Sequence, residues 1–563
     1  MNPVHIVSDH VVKFAVGACL ALALLSACSP APTPAPATSV PATPVAGPTA
    51  APASPTASNA PQKGGSIVVG LAATSIVSLD PHAFSDRASE TVGRNMFDAL
   101  FTRTRTNQAV PELADAFQWI DDKTVEIKLK KNVTFHNGDP FTADDVAFSF
   151  ERVMKQDIGA PRRFATTGIT NVVKVDDYTV RLLLPSAYPV LFQNLVHIAM
   201  VPKAYIQKVG DKGFAAAPVG TGPFKFVSGS LADAIQMERY DKYYGGAAAL
   251  APVGPAFLDR VTFKVMPEAS SRVAALLAGE VQIIESVPPQ LMERLKSAPT
   301  LEVQTVGGTR PKLVDMNVTK PPFNDVRVRQ AFNIGLDRKL LLKTIAGDIG
   351  ELLPGPLSPQ DTQVDPTLQP YPFDKAKALA LLADAGWKPG SDGILVKGSD
   401  KFTLVVDSYG EYLPLAEAVA GQLRSNLGVD ATVRSWDYAV LQPLLLKSER
   451  LIFVRDWGSA SFDPVGYIEA KWRTFVDKTA LGRANFSLYS NPKVDQLIDT
   501  GATEPNVEKR KAIYKEMQRI IFDEAPSIFL YVPGEIQANS KTVQSWGPSP
   551  DSRINLHDVW LKK

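Results

Sequence analysis

Cysteine is nearly absent. The 563-residue chain has two, Cys19 and Cys28, so everything after residue 28 must fold without a disulfide framework or a cysteine metal site. Histidine is scarce too, six in all, and His82, His136, His197 and His557 include no pair at metal-ligand spacing. No metal and no cofactor is expected. An excess of either charge is also missing: 59 Lys and Arg stand against 58 Asp and Glu. That excludes the basic footprint of a nucleic-acid binder and gives no net attraction to an anionic membrane. No G-x-S-x-G elbow, H-E-x-x-H or Walker loop occurs, so no enzyme is expected, although the many carboxylates leave a carboxylate-pair glycosidase open.

Membrane-length apolar runs are lacking as well. The greasy stretch 14–25, FAVGACLALALL, is shorter than the ~20 residues that cross a bilayer and suits a signal-peptide core. Its basic flank is a single residue, Lys13. Leu25-Ser26-Ala27-Cys28 resembles the lipobox of bacterial lipoproteins, which implies cleavage before Cys28 and a lipid on its thiol. The Pro-, Ala-, Ser- and Thr-rich stretch that follows carries no charge until Lys63. Such a segment has nothing to bury and is expected to stay extended, reaching on the order of 100 Å at polyproline rise. Signal peptide 1–27 and a lipid-anchored tether 28–63 together imply a body held outside the cytoplasmic membrane, in the periplasm or on the outer face of the cell.

From Gly65 the chain changes character. With 45% hydrophobic residues it is long enough for at least two lobes. SIVVGLA reads as a buried strand. AFQWIDDKTVEIKLKKNVTF alternates, with Val125, Ile127 and Leu129 on one face and Glu126, Lys128 and Lys130 on the other, and reads as a hairpin turning at Asp121-Asp122. NVVKVDDYTVRLLL repeats the design. Between them Thr142 and Asp145 form a capping pair that opens a helix. Later, KFTLVVDS, LPLAEAVAGQLRSNL stopped by Gly428, and VDATVRSW read as strand, helix and strand; RLIFVRDW is another strand. A helix from Asp374 closes at Gly386, and NVEKRKAIYKEMQRIIFDEA leads into the strand PSIFLYV. The fold class is mixed α/β.

Five segments in this order and spacing, KTVEIKLKKNVTFHNGDPFTADDVAFSFERVM, APVGTGPFKF, VTKPPFNDVRVRQAFNIGLDRKLL, YPFDKAKALALLADAGW and APSIFLYV, resemble the bacterial extracellular solute-binding proteins of family 5, which serve peptide- and nickel-type ABC importers. The resemblance implies a class II, two-lobed periplasmic-binding-protein-like clamp of the large type, with an extra subdomain in the first lobe. It places the first lobe at 64–315 with the inserted subdomain near 101–218, the second at 316–528, and the return to the first at 529–563, with chain crossings near 313–317 and 529–532. It also implies partners: a membrane permease, an ATPase and a small solute, the protein itself being a monomer. Arg327, Arg329 and Arg338 are expected on a helix from Asn324, solvated or salt-bridged.

In open α/β sheets solutes bind beyond the carboxyl ends of strands. In the second lobe this selects three loops, DSYGEYLP, SWDYA and RDWGSASFDP, and ten candidate ligand contacts: Tyr409, Glu411, Tyr412, Trp436, Tyr438, Asp456, Trp457, Ser459, Ser461 and Asp463. Aromatic side chains supply walls at low entropic cost and polar ones orient the ligand. A plain structural alternative stands beside them: the tryptophans as core and Asp463 as a helix cap. Relatives that bind dipeptides place a carboxylate where this chain has Ala460, and an arginine in the loop where this chain reads SYGEYLP. A peptide or peptide-like solute comes first, an oligosaccharide or glycoside next and a metal chelate third; a secreted hydrolase and a solute-sensing receptor are the alternatives from other classes.

Overall fold

The structure, a computed structural model, describes residues 60–155, 161–166, 168–250, 253–458, 462–477, 481–551 and 553–563. The signal peptide, Cys28, nearly all of the tether, Ser459, Ala460 and Ser461 lie outside the described residues.

Two large sheets organise the chain. The first has seven strands in the order Leu301–Val306, Glu535–Ser540, Ile283–Ile284, Ser66–Leu71, Arg260–Val265, Ala234–Arg239 and Phe224–Gly229. Ser66–Leu71 runs parallel to both of its neighbours. The second has six strands in the order Gly350–Leu352, Ser527–Pro533, Lys312–Met316, Ile452–Asp456, Thr403–Tyr409 and Asp430–Trp436, the last three mutually parallel. Because side chains alternate along a strand, Leu404, Val406, Ala431, Ile452 and Val454 face one core together with the helices Val326–Gly335, Lys375–Asp384 and Leu413–Leu427. Each of the buried Leu, Val and Ile side chains among them contributes roughly 1.5–3 kcal/mol.

The two hairpins form. Ala114–Asp121, Thr124–Leu129, Thr179–Leu183 and Asn171–Asp176 make a separate four-stranded sheet, joined where Ile127 pairs with Val180. The Thr142 amide donates to Asp145 at 2.9 Å, and the helix Ala143–Met154 lays Val146, Phe150 and Val153 into this subdomain's own core. One local expectation needs correction. Arg327 is solvated and pairs with Asp325, but Arg329 and Arg338 are buried, on two consecutive helices, Val326–Gly335 and Arg338–Ala346. Their guanidinium groups donate to the carbonyls of Phe323, Glu524 and Phe529, acceptors set by tertiary packing.

The chain passes from the first sheet to the second between Val306 and Lys312, and returns at Gly534 between Pro533 and Glu535. Lys312–Met316 and Ser527–Pro533 both belong to the second sheet, so these passages sit a few residues from the expected 313–317 and 529–532. The passages run side by side: a Cβ on Gly308 would meet the Pro533 carbonyl oxygen at 2.1 Å, so only glycine fits there. The inserted subdomain also reaches the second lobe, where Val190 packs with Leu313, Leu353 and Tyr467 and the Arg103 guanidinium lies 5.2 Å above the Phe462 ring.

Candidate solute site at the lobe junction

Tyr409 and Trp436 end adjacent parallel strands in register, and Asp456 ends the next, so the three predicted loops leave the same edge of the second sheet. There the structure builds a tyrosine wall. The Tyr409 ring lies 4.8 Å from Tyr412 and 4.6 Å from Tyr438; Tyr438 is exposed and Tyr412 buried. Burial, then the nearby Asp456, raises the Tyr412 phenol above its ordinary range, so it stays protonated and can donate. Glu411 is exposed on the turn Gly410–Tyr412.

Asp456 is buried, 5% exposed, and already engaged. Arg310 reaches it with two donors, Nη2 at 2.6 Å and Nε at 3.2 Å, and Lys312 Nζ lies 3.0 Å away. Burial alone would push this carboxyl up, but the Arg310 hydrogen bond and the charges of Lys312 and Arg310 outweigh it and hold it at about 2. Lys312 Nζ also sits 4.6 Å above the Tyr412 ring, a cation–π placement. Neither cation was among the sequence candidates. They enter the site because Lys312 pairs in register with Asp456 and Arg310 lies on the passage between the sheets; the only sequence signal is the alternation R-P-K before an apolar strand.

The remaining candidates are placed elsewhere. The Trp436 indole turns back to its own sheet, donating to Asp407 at 2.7 Å, with the guanidinium groups of Arg434 and Arg450 5.3 and 5.6 Å from its ring. Trp457 follows Asp456, donates to the Tyr467 carbonyl at 3.1 Å and carries Arg455 4.7 Å above its ring. The next residue, Gly458, abuts the passage so closely that a Cβ would meet the Thr309 carbonyl oxygen at 1.9 Å. Asp463 is buried, bound by Arg510 at 2.6 and 2.7 Å, and accepts the Val465 amide at 3.0 Å, as a capping residue does. The structure thus brings Tyr409, Tyr412, Tyr438 and Asp456 together, with Trp457 next to Asp456 in the chain; Trp436 shares a small apolar cluster with Tyr409 while its indole nitrogen serves Asp407, and Asp463 is committed to Arg510.

The first lobe contributes Arg87 to the junction. It lies 3.1 Å from Glu535, just past the return passage, donates to Ser286 Oγ at 2.7 Å and approaches buried Glu285 at 3.6 Å. Deeper in that lobe a cavity of about 60 Å³ is lined by Glu90, Arg94, Glu112, Arg162 and His197 among others; it has room for a few waters, well below the roughly 300–1,000 Å³ of small-molecule sites. Each of the four histidines in the described region is tied to the protein by a hydrogen bond, and among the described residues no group of three or more His, Cys, Asp or Glu could hold a metal ion.

The family described as bacterial extracellular solute-binding proteins, family 5 (middle) matches residues 108–478. The chain belongs to this family. Family 5 members are solute-binding proteins, and the same lineage shows in whole-length relatives. A glutathione-binding protein of Pectobacterium atrosepticum is 28% identical over 504 residues, covering 89% of this chain and 94% of its own. An oligopeptide-binding protein of Bacillus subtilis is 26% identical over 520 residues, covering 89% and 93%. The solved structure of an oligopeptide-binding protein from Bacillus subtilis in complex with a nonapeptide superposes with a TM-score of 0.71 at 25% identity, covering 90% of this chain and all of that one. The two-lobed family 5 architecture is therefore the fold of this chain, and binding a solute outside the cytoplasm is its function. Among the described residues no helix is long and apolar enough to cross a membrane.

Proposed function

We propose that this protein is the solute-capturing subunit of an ABC importer, that it takes a peptide-like solute between its two lobes, and that a lipid on Cys28 keeps it near its permease and ATPase. The observation that carries this reading is the tyrosine wall with its charged corner beside the two chain passages, where a solute would touch both lobes. Relatives named for glutathione and oligopeptides support the peptide-like class. The work of such a protein is capture and hinge closure, with no bond made or broken. Native mass spectrometry of the purified protein is expected to reveal a co-purified solute of peptide-like mass, and small-angle scattering a smaller radius of gyration with that solute than without it. Unchanged scattering at saturation would remove the clamp. For the anchor, Cys28→Ser is expected to release the protein from membranes or block its processing; an unchanged, membrane-bound mature protein would remove the lipid.

A further inference from the structure

We propose that Arg310, assisted by Lys312, forms an anion subsite at the lobe junction that receives a carboxylate of the solute, and that Asp456 is its support and not a receptor for the solute's amine. The inference rests on the solute-binding reading and names the chemistry that the site selects. Asp456 decides it. An ionised carboxylate offers about four lone-pair positions, and here three of them meet Arg310 Nη2, Arg310 Nε and Lys312 Nζ. A solute ammonium arriving at this corner would find its only buried carboxylate taken.

The cations, by contrast, have capacity to spare. One would neutralise Asp456; there are two, which leaves a unit of positive charge on this group. Arg310 spends one edge of its fork on Asp456, and among the described residues its Nη1 has no acceptor. Its side chain is 64% exposed, so that edge is open. Lys312 has three donors and gives one to Asp456. The planar fork of arginine is matched to carboxylate geometry, and the neighbouring Lys312 Nζ sits 4.6 Å above the Tyr412 ring, so an anion received by this pair would lie beside the tyrosine wall. Glu411 is the other acid on this edge, but it is exposed on its turn. A plain surface ion pair would leave both partners exposed; here the carboxylate is buried, doubly bound, and holds the arginine out at the passage. Lobe closure would remove water from that edge, which strengthens its pairing with an anion.

The test uses the full chain, freed of co-purified solute, and calorimetric titration with tetra-alanine, its C-terminal amide and its N-acetyl form, with thermal shift by glutarate as a peptide-free probe. The free acid is expected to bind at least tenfold more tightly than the amide, while N-acetylation changes affinity less than tenfold. Arg310→Gln, at an exposed position that should fold, is expected to bring acid and amide within twofold; Arg310→Lys should keep part of the preference. If no peptide binds yet glutarate stabilises the parent and not Arg310→Gln, the subsite stands and the peptide class falls. Equal binding of acid and amide by the parent overturns the subsite and leaves the peptide class intact. A preference that survives in Arg310→Gln, or the absence of any response to all four probes, overturns the subsite as well.

Discussion

Two corners of this protein are built from the same materials and differ in one respect. In the first lobe, Glu90 is met by Arg162 at 2.7 Å, Arg94 at 3.1 Å, His197 at 3.4 Å and by Arg553, and Asp551 ties Arg553 at 3.2 Å and Arg94 at 3.7 Å. At the lobe junction Asp456 is met by Arg310 and Lys312. Both central carboxylates are buried. The cations are not alike: Arg162 and Arg553 are 4% and 12% exposed, whereas Arg310 is 64% exposed. The first cluster turns Arg162, Arg553 and His197 inward, leaves Arg94 24% exposed, and joins the helix Arg87–Gly93, the inserted subdomain and the C-terminal segment. The second holds one charge outward. Burial of the counter-ion, more than the number of ion pairs, is what distinguishes the two corners.

The largest expected effect follows from breaking the closed cluster. Glu90→Gln would leave buried cations without their partner and is expected to cost about 3–5 kcal/mol of stability, read by denaturant unfolding; a loss below about 1 kcal/mol would contradict the comparison. Burial alone would raise the Glu90 carboxyl, but Arg553, Arg94 and the other partners outweigh it and hold it well below its ordinary range. Its contribution is therefore present above the unfolded carboxylate value and is lost as pH falls through the folded one.

A second effect concerns acid. Burial pushes His82 down to about 4 and His197 to about 3, so the unfolded chain takes up protons that the folded chain refuses. Stability from these residues is full above about 6.5 and falls as pH drops from there, by up to ~2 kcal/mol per histidine at pH 5. Burial acts in the opposite sense on Asp98 and Glu112, pushed up to about 6 and 8; what they contribute is lost as pH rises. Denaturation curves at pH 5 and 6.5 for the parent and His197→Gln should show a shallower acid loss in the variant. Equal slopes would remove His197 from the account.

The smaller effects sharpen the open corner. Tyr409→Ala takes out the central ring of the wall and is expected to weaken solute binding by roughly 1–3 kcal/mol. Trp436→Ala should chiefly lower stability, because it leaves buried Asp407 without its donor, and should change affinity less. Arg327→Ala, at an exposed side chain bonded to Asp325 and to the Asp384 carbonyl, should move stability by no more than about 1 kcal/mol and affinity not at all. Calorimetry beside thermal unfolding would expose a reversed order among the three.

How far the sequence reaches follows the range of each interaction. The alternation of Val125, Ile127 and Leu129, the Thr142–Asp145 pair and the stop at Gly428 are local, and the elements they specify form as read. So does the edge from which the three site loops leave, because parallel strands order their ends. The inward pairing of Arg329 and Arg338 is not local, since its carbonyls come from other elements. Nor is the charged corner: Lys312 and Asp456 are 144 residues apart and meet only through an antiparallel register. Trp436 shows the limit from the other side. It stands in register with Tyr409, yet its indole turns toward a neighbouring carboxylate, a choice of rotamer that residue spacing cannot encode.

The contact between Gly308 and Pro533 has a mechanical consequence. Two rigid bodies joined by one strand keep several degrees of freedom; joined by two adjacent strands, they can scarcely slide or separate, and rotation about the shared axle is what remains. The loaded state is then described by one coordinate, the opening angle, whatever lies inside. A membrane partner that reads this angle would detect occupancy without inspecting the solute, so the chemistry of selection could change at the tyrosine wall while the signal passed outward stayed the same.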